Sequence, residues 1–205
     1  MADPCPFTEL LPDLPDQECV FDLRQVSGLI FGLQGNPFTV SGTAPATDID
    51  SLTAYTTRIA AAEPTKIQVL QRVASFVVPV NESIGIAADT NDTAEGYEYI
   101  VDETTQMATF RVLDATPALI EELKKYDARS KIATRIGVLF LTSDRVISKG
   151  LDFIPINNMF TSGLGLGGKT EPNVCNLKFN MNTNWWESLQ INEIDTFNPL
   201  DLLNA

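Results

Sequence analysis

The sequence contains no histidine, few cysteines and few basic residues, and each of these deficits excludes a class of function. Among 205 residues there are no histidines and only three cysteines. A Ser-His-Asp or Cys-His catalytic arrangement is therefore impossible, as is a zinc site built from histidines or from four cysteines. Fourteen lysines and arginines stand against 27 aspartates and glutamates, which gives a formal net charge of −13. Because nucleic acids are polyanions, this balance disfavours a protein that grips DNA or RNA.

The acidic residues are concentrated in two parts of the chain. Residues 1–50 contain eight acids and a single base, Arg24, and residues 81–110 contain seven acids and no base. Residues 111–149 contain eight bases. Separated charges of this kind favour head-to-tail self-association, and they fit equally well with solvated loops that keep the chain soluble.

The N-terminal residues show no targeting signal. Residues 1–13, MADPCPFTELLPD, lack the basic and apolar runs of a signal peptide, and no stretch of the chain approaches the roughly 18 apolar residues of a membrane span. We therefore expect a protein made in the cytoplasm with no membrane span. The cysteines are Cys5, Cys19 and Cys175, and their wide spacing and odd number predict reduced, mostly buried thiols, with a Cys5–Cys19 bridge as the alternative.

The composition predicts one packed domain with an extension at each end. A content of 44% hydrophobic residues over this length is enough to bury a core without a disulfide or a metal. Four prolines, among them Pro12 and Pro15, predict that residues 1–20 form an extended arm. We expect a β-rich domain over residues 21–191, followed by an acidic, proline-bearing tail at 192–205.

Hydrophobic spacing predicts two helices. The helical pattern of the first starts from Asp48, with Thr47 or Asp50 as its cap, and Pro64 ends it. Its apolar stripe consists of Leu52, Tyr55, Ile59 and Ala62. The second covers residues 116–129 with Thr116 at the N-cap and Pro117 at the first helical position. Its apolar face consists of Leu119, Ile120, Leu123 and Tyr126.

The remaining apolar segments predict strands. They are residues 20–33 with a break at Gly28, one or two strands within 66–80, and strands at 97–101, 107–113, 135–142, 145–149, 174–181 and 185–191. We expect hairpins between 97–101 and 107–113 and between 135–142 and 145–149, with long loops at 81–96 and, rich in glycine, at about 157–173. The predicted fold class is α+β or mainly β: a β-sandwich or barrel-like sheet built from hairpins, with two flanking helices and extended terminal arms.

One segment matches the phosphate-loop pattern. Residues 163–170, GLGLGGKT, fit G-x-x-x-x-G-K-[ST], with Lys169 and Thr170 in the diagnostic places. A working phosphate loop needs a helix to begin at these residues, because the helix N-terminus holds the phosphates. Here Pro172 and a strand-like segment follow. We therefore interpret the motif as a flexible glycine-rich loop and keep a nucleotide-binding protein as the remote alternative.

No other residues assemble into a recognisable catalytic, cofactor or metal site. The acidic pairs Asp102–Glu103 and Glu121–Glu122 could serve acid-base chemistry, but a loop and a helix end explain their positions better. Ser27 and Ser162 lack the G-x-S-x-G frame of a nucleophile. We predict that the protein is not an enzyme and that it has no cofactor.

The only two tryptophans, Trp185 and Trp186, are adjacent. Neighbouring residues of a strand face opposite sides of the sheet, so only one of the two can enter the subunit's core. Tryptophan is enriched at subunit interfaces. We therefore predict that these residues, together with Pro12 and Pro15 of the arm, contribute to contacts between subunits. The alternative is that one ring lies on an exposed loop or helix end.

Three blocks of sequence together resemble structural proteins of tailed bacteriophages, most of all tail tube proteins. They are LTAYTTRIAAAEPTKIQVLQRVASFVVPV, TFRVLDATPALIEELKKYDARSKIATRIGVLFLTSD and LKFNMNTNWWESLQINEIDTFNPLDLL. The resemblance covers most of residues 20–203. It implies a β-sandwich flanked by a helix, hexameric rings that stack into a tube, and an acidic channel through which DNA passes without specific binding.

The resemblance also implies a location and partners. We expect a virion protein assembled in the host cytoplasm, whose partners are other copies of itself and other phage tail or head proteins. A capsid decoration protein or a head-tail connector is the alternative, because it would share the small β-rich fold, the arms and the absence of catalysis. Trimers on a shell or a twelve-fold ring would distinguish these alternatives from a tube.

Overall fold

A computed structural model describes residues 26–40, 46–86, 99–130, 135–166, 172–182 and 184–204. Within these residues the chain is mainly β, as predicted, with two α-helices. The strands are β1 (Gly28–Leu33), β2 (Gln68–Leu70), β3 (Val73–Val77), β4 (Ser83–Ile86), β5 (Tyr99–Glu103), β6 (Gln106–Leu113), β7 (Ile136–Leu141), β8 (Arg145–Lys149), β9 (Ile154–Thr161), β10 (Val174–Met181) and β11 (Leu189–Glu193). The helices are α1 (Leu52–Ala60), α2 (Pro117–Ser130) and a 3-10 helix (Pro199–Asn204). None of the described helices is long and apolar enough to cross a membrane.

Nine of the strands form one antiparallel sheet, and β4 pairs only with β5 in a second, two-stranded sheet. The main sheet runs in the order β11-β8-β7-β9-β10-β6-β3, and β1 pairs with both β7 and β2. Strand β7 has three partners, because β1 covers one edge while β8 and β9 share the other. This position explains why β7 is buried along its whole length.

Two apolar cores lie on opposite faces of β1 and β7. One contains Val138 and Phe140 of β7 and extends under β6, β9, β10 and α2. The other contains Leu139 and Leu141 and is covered by α1 and the C-terminal residues. Because strand side chains alternate between the two faces, a strand packed on both sides needs apolar residues at every position. The uninterrupted sequence IGVLFL of β7 meets that requirement.

Several predicted elements are confirmed. Helix α2 lies within one residue of its predicted limits, the backbone N–H of Leu119 donates to the Thr116 hydroxyl at 3.2 Å, and both Ile120 and Leu123 are buried. The hairpin of β7 and β8 pairs Phe140 with Ile147. Strand β10 has exactly the predicted limits, and Cys175 within it is a buried free thiol.

The first helix was predicted correctly in position and only in part in its buried face, since Tyr55 is buried and Ile59 packs against the second core. Its N-cap is Ser51 rather than Thr47 or Asp50, and it ends at Ala60, before Pro64. The buried residues are Ala54, Tyr55 and Arg58, whereas Leu52 is 39% exposed. The periodicity missed Arg58 because a charged side chain was not counted among core residues. Its guanidinium is buried by hydrogen bonding and ring stacking, neither of which an apolar pattern detects.

The predicted hairpin between 97–101 and 107–113 is wrong. Strand β5 pairs with β4, while β6 pairs with β10 over eight residues and with β3 on its other edge. Strand β6 buries every second side chain in the main core. Burial of that face, with β10 paired along its whole length, outweighs the short connection that favoured a local pairing.

Two predicted loops are shorter than expected. Residues 157–161 belong to β9 rather than to the glycine-rich loop, because Met159 and Thr161 are buried there and β10 pairs with the strand. Residues 83–86 form β4 within the predicted acidic loop, the rest of which, from 87 to 96, lies outside the described residues.

The C-terminal tail is not an extended arm, at least over its described residues. Residues 192–193 belong to β11, Ile194 is buried, and Leu202 of the 3-10 helix is completely buried in the second core. Its apolar residues therefore complete the core of their own subunit. The N-terminal arm at 1–20, with Pro12, Pro15, Cys5 and Cys19, lies outside the described residues.

We expect Arg58→Met to lower the free energy of unfolding by about 1–3 kcal/mol. The guanidinium donates to the carbonyls of Asn36 and Pro37, each at 2.7 Å, and lies 3.8 Å from the ring centre of Phe38. A methionine can fill the space but leaves both carbonyls without these donors. Urea unfolding measures the loss, and Arg135→Met at an exposed position should change stability by less than about 0.5 kcal/mol. Equal losses in the two variants would contradict this role.

Candidate assembly surfaces

Trp185 lies inside the subunit. It is 6% exposed, its ring packs edge-on against Phe140 with centroids 6.3 Å apart, and its indole N–H donates to the side-chain oxygen of Gln106. The amide of Gln106 in turn donates to the Pro79 carbonyl at 3.0 Å. Trp185 therefore anchors the turn at residues 184–188 to the main core.

Trp186 lies outside, and it is 57% exposed. The sequence argument placed both tryptophans on a strand, which is wrong: they lie in the turn before β11, where the N–H of Leu189 donates to the Trp186 carbonyl. The separation of one buried and one exposed ring nevertheless holds. The two side chains point to different environments because they lie in a turn, and not because they alternate along a strand.

The exposed ring lies beside an open strand edge. Strand β11 pairs with β8, and none of the other described strands pairs with it. Ile191 in the middle of β11 is 40% exposed. We call Trp186 and β11 the Trp edge. A strand edge without a partner, flanked by exposed apolar side chains, is a ready template for another strand.

A second surface is the outer side of β3, β6, β10 and β9. Their inward side chains fill the main core, and their outward side chains are aligned by the strand register. We call this surface the basic face and define it by six residues: Val77, Met107, Arg111, Phe160, Asn176 and Lys178. All six are exposed.

The basic face differs from the rest of the chain in its charge. None of its four strands contains an aspartate or a glutamate, although the chain has 27 of them. Arg111 and Lys178 supply positive charge, and the Lys178 ammonium lies 5.3 Å from the ring centre of Phe160. Phe160 is half exposed, as is Val77. The face therefore combines cations with apolar side chains.

Sequence reasoning missed this surface. Each strand was predicted from its apolar residues, and the outward positions were not compared across strands. The available signal was the absence of acids from the segments 73–77, 106–113, 154–161 and 174–181. Only the register shows that Val77, Thr109, Lys178 and Phe160 form one row across the sheet.

The phosphate-loop motif does not lead into a helix in the described part of the chain. Gly165 forms an isolated bridge with Val174, and β10 begins at Val174. Lys169 and Thr170 lie outside the described residues. Glu121 is exposed on α2, as expected for a helix-surface charge. Asp102 is also exposed, but the predicted loop position is wrong, because Asp102 lies in β5 and pairs with Ile84 of β4. Burial raises the pKa of the Cys175 thiol, while a hydrogen bond between the Cys175 and Ser162 side chains partly opposes that shift. The thiol is therefore poorly suited to act as a nucleophile. The described residues contain no cluster of three or more potential metal ligands.

Three carboxylates meet where α1 begins. Burial raises the pKa of Asp50 above its ordinary value, and the charges of Asp48 and Asp195 raise it further. The folded state therefore holds the Asp50 proton more tightly than the unfolded state does. Folding stability then falls as the pH rises from the ordinary pKa of Asp50 through the higher pKa of the folded state.

We expect Asp50→Asn to stabilise the fold at pH 7, by less than about 1 kcal/mol because the group is partly exposed. The amide has the same shape and removes one of the repelling charges. The gain should vanish at a pH below the ordinary pKa of aspartate, where Asp50 is protonated in both states. Urea unfolding at the two pH values tests this, with Glu187→Gln as the exposed control. A gain that is the same at both pH values would contradict the electrostatic cause.

The chain was compared with protein-family models, with curated proteins and with solved structures, and it matches none of them.

Proposed function

We propose that this protein is a structural subunit of a bacteriophage virion that assembles into stacked rings and forms a tail tube. The observation that carries the proposal is the Trp edge. There the outer edge of β11 has no partner among the described strands, and the side chains of Trp186 and Ile191 are exposed beside it. An open strand edge beside exposed apolar side chains can pair with the strand of a neighbouring subunit. The proposed kind of assembly, stacked rings that form a tube, comes from the resemblance of three sequence blocks to phage tail tube proteins.

The arrangement of strands supports a finer proposal, that the main sheet curls into a barrel. Pairing runs continuously from β3 through β6, β10, β9 and β7 to β1. The N–H of Val73 in β3 donates to the carbonyl of Ser27, next to β1, at 3.3 Å. This bond brings the two ends of the series together. Strand β11 pairs only with β8, so a sheet closed in this way would still have the outer edge of β11 available to a neighbour.

Charge favours a tube that DNA can pass through. The net charge of −13 makes a DNA-gripping channel unfavourable, and an acidic wall repels the phosphates. We propose that the acidic region 81–110 or the N-terminal acids line the channel or the joint between rings. Like charges gathered on a ring also repel one another. Raising the salt concentration should therefore promote assembly by screening this repulsion.

Electron microscopy and sedimentation of the full-length protein test the proposal. Rings or tubes are expected, and they should increase with protein and salt concentration. Deleting residues 2–18 should leave a folded subunit, checked by circular dichroism, that no longer polymerises. A monodisperse monomer at high concentration and high salt would contradict the tube, as would a deletion variant that assembles equally well. Trimers or a twelve-fold ring would indicate a decoration or connector protein instead.

A further inference from the structure

The basic face has no assigned role in the self-assembly described above, although it combines two cations with exposed apolar side chains. We propose that it binds residues 1–25 of a neighbouring copy of this protein. The inference rests on the proposed self-assembly, which supplies the neighbour. Three observations point to this occupant: charge, apolar composition and the place where the segment joins the sheet.

The charges of the two partners are complementary. Residues 1–25 contain six acids and one base. The basic face carries Arg111 and Lys178, and the four strands that form it contain no acid. An acidic segment is therefore attracted to this face, although the net charge of the whole chain is −13.

The apolar residues are also complementary. Phe160, Val77 and Met107 are 50%, 54% and 38% exposed on the face. Residues 1–25 alternate acids and prolines with Phe7, Leu10, Leu11 and Leu14. Proline-rich segments dock on surfaces with exposed aromatic rings, because their extended backbone is preformed and loses little entropy on binding. Burial of these side chains keeps the contact favourable at the salt concentrations that relieve repulsion between subunits.

The segment joins the described chain beside this sheet. Residue 25 precedes Val26, and the next residue, Ser27, accepts a hydrogen bond from Val73 at the start of β3. Strand β3 is the edge strand of the basic face. A fully extended segment of 25 residues can span on the order of 80 Å, so it can reach the face of an adjacent subunit.

A nucleic acid is the competing occupant, and the observations favour it less. A polyanion would meet two cations on the face and then the strong negative charge of the whole chain. The acidic segment carries few charges and brings apolar side chains that match those on the face.

Cross-linking in the full-length chain tests the proposal, because Cys5 and Cys19 already place thiols on the segment. Thr109→Cys adds a thiol in the centre of the basic face, and Thr57→Cys adds one at an exposed position of α1 as the matched control. Cys175 lies on the buried side of the sheet. Equal amounts of ¹⁵N-labelled and unlabelled protein are mixed, allowed to assemble and treated with a short bis-maleimide, and the linked peptides are identified by mass spectrometry.

The expected result is a cross-link from Cys5 or Cys19 to position 109 that joins labelled to unlabelled chains. Its yield should exceed that of the Thr57→Cys control by at least about tenfold, since docking raises the local thiol concentration. Adding Lys178→Glu to the Thr109→Cys chain should remove most of this excess. Adding Lys124→Glu, at an exposed position of α2, should preserve it.

The possible failures are distinguishable. Rings that form without the excess cross-link would overturn the docking and leave the tube intact. Mixed-isotope cross-links in a protein that forms no rings would support the docking and overturn the tube. Cross-links confined to one isotope would show that the segment binds its own subunit, which contradicts the proposal. Binding of a fluorescent oligothymidine that is lost on Phe160→Ser would also overturn it, by assigning the face to nucleic acid.

Discussion

Replacing Trp185 with alanine should lower the free energy of unfolding by about 3–5 kcal/mol. The substitution removes a large ring that is 6% exposed and packs against Phe140, and it leaves a cavity in the main core. It also leaves the side-chain oxygen of Gln106 without its indole donor. Urea unfolding followed by circular dichroism measures the loss. Trp185→Phe should cost less than Trp185→Ala, because it retains an aromatic ring and removes only the N–H and part of the volume.

The adjacent tryptophan provides the matched comparison. Trp186→Ser should change stability by less than about 0.5 kcal/mol, because the ring is 57% exposed. It should nevertheless impair assembly, which sedimentation and electron microscopy would detect as a loss of rings. Assembly that is unaffected by Trp186→Ser would remove the Trp edge from the proposed interface. A large loss of stability would instead mean that Trp186 supports the fold.

Replacing Leu123 with alanine should cost about 2–5 kcal/mol. Leu123 is 4% exposed and belongs to the main core, where it secures α2 against the sheet. The helix is also held by Asp127, which accepts hydrogen bonds from the backbone and hydroxyl of Thr161 in β9 at 3.0 and 2.7 Å. These bonds limit how far the helix can move to fill the cavity. The loss of stability on substitution is larger where the surrounding structure cannot collapse into the cavity.

The control for Leu123 is Glu121→Ala on the exposed side of the same helix. It should change the midpoint of urea unfolding only slightly, since alanine has a high helix propensity and no core contact is removed. A loss below about 0.5 kcal/mol for Leu123→Ala would contradict the role of this residue as an anchor.

Features that depend on neighbours in the sequence were predictable. Thr116 and Pro117 specify the beginning of α2 through local hydrogen bonding and a fixed backbone angle, and the structure has the helix there. The short turn between β7 and β8 likewise gave the correct hairpin. The division of the two tryptophans into one buried and one exposed ring also held, although it arises from a turn.

Features that depend on distant residues were decided only by the tertiary structure. Strand β6 pairs with β10 instead of the nearby β5, because a sheet forms wherever the largest apolar face is buried, regardless of the length of the connection. Leu202 enters the core rather than an extended tail for the same reason. The basic face depends on both alternation along each strand and register between strands. The sequence by itself determined which residues alternate within a strand. The pairing of strands that are distant in the chain decided that Arg111, Lys178 and Phe160 share one surface.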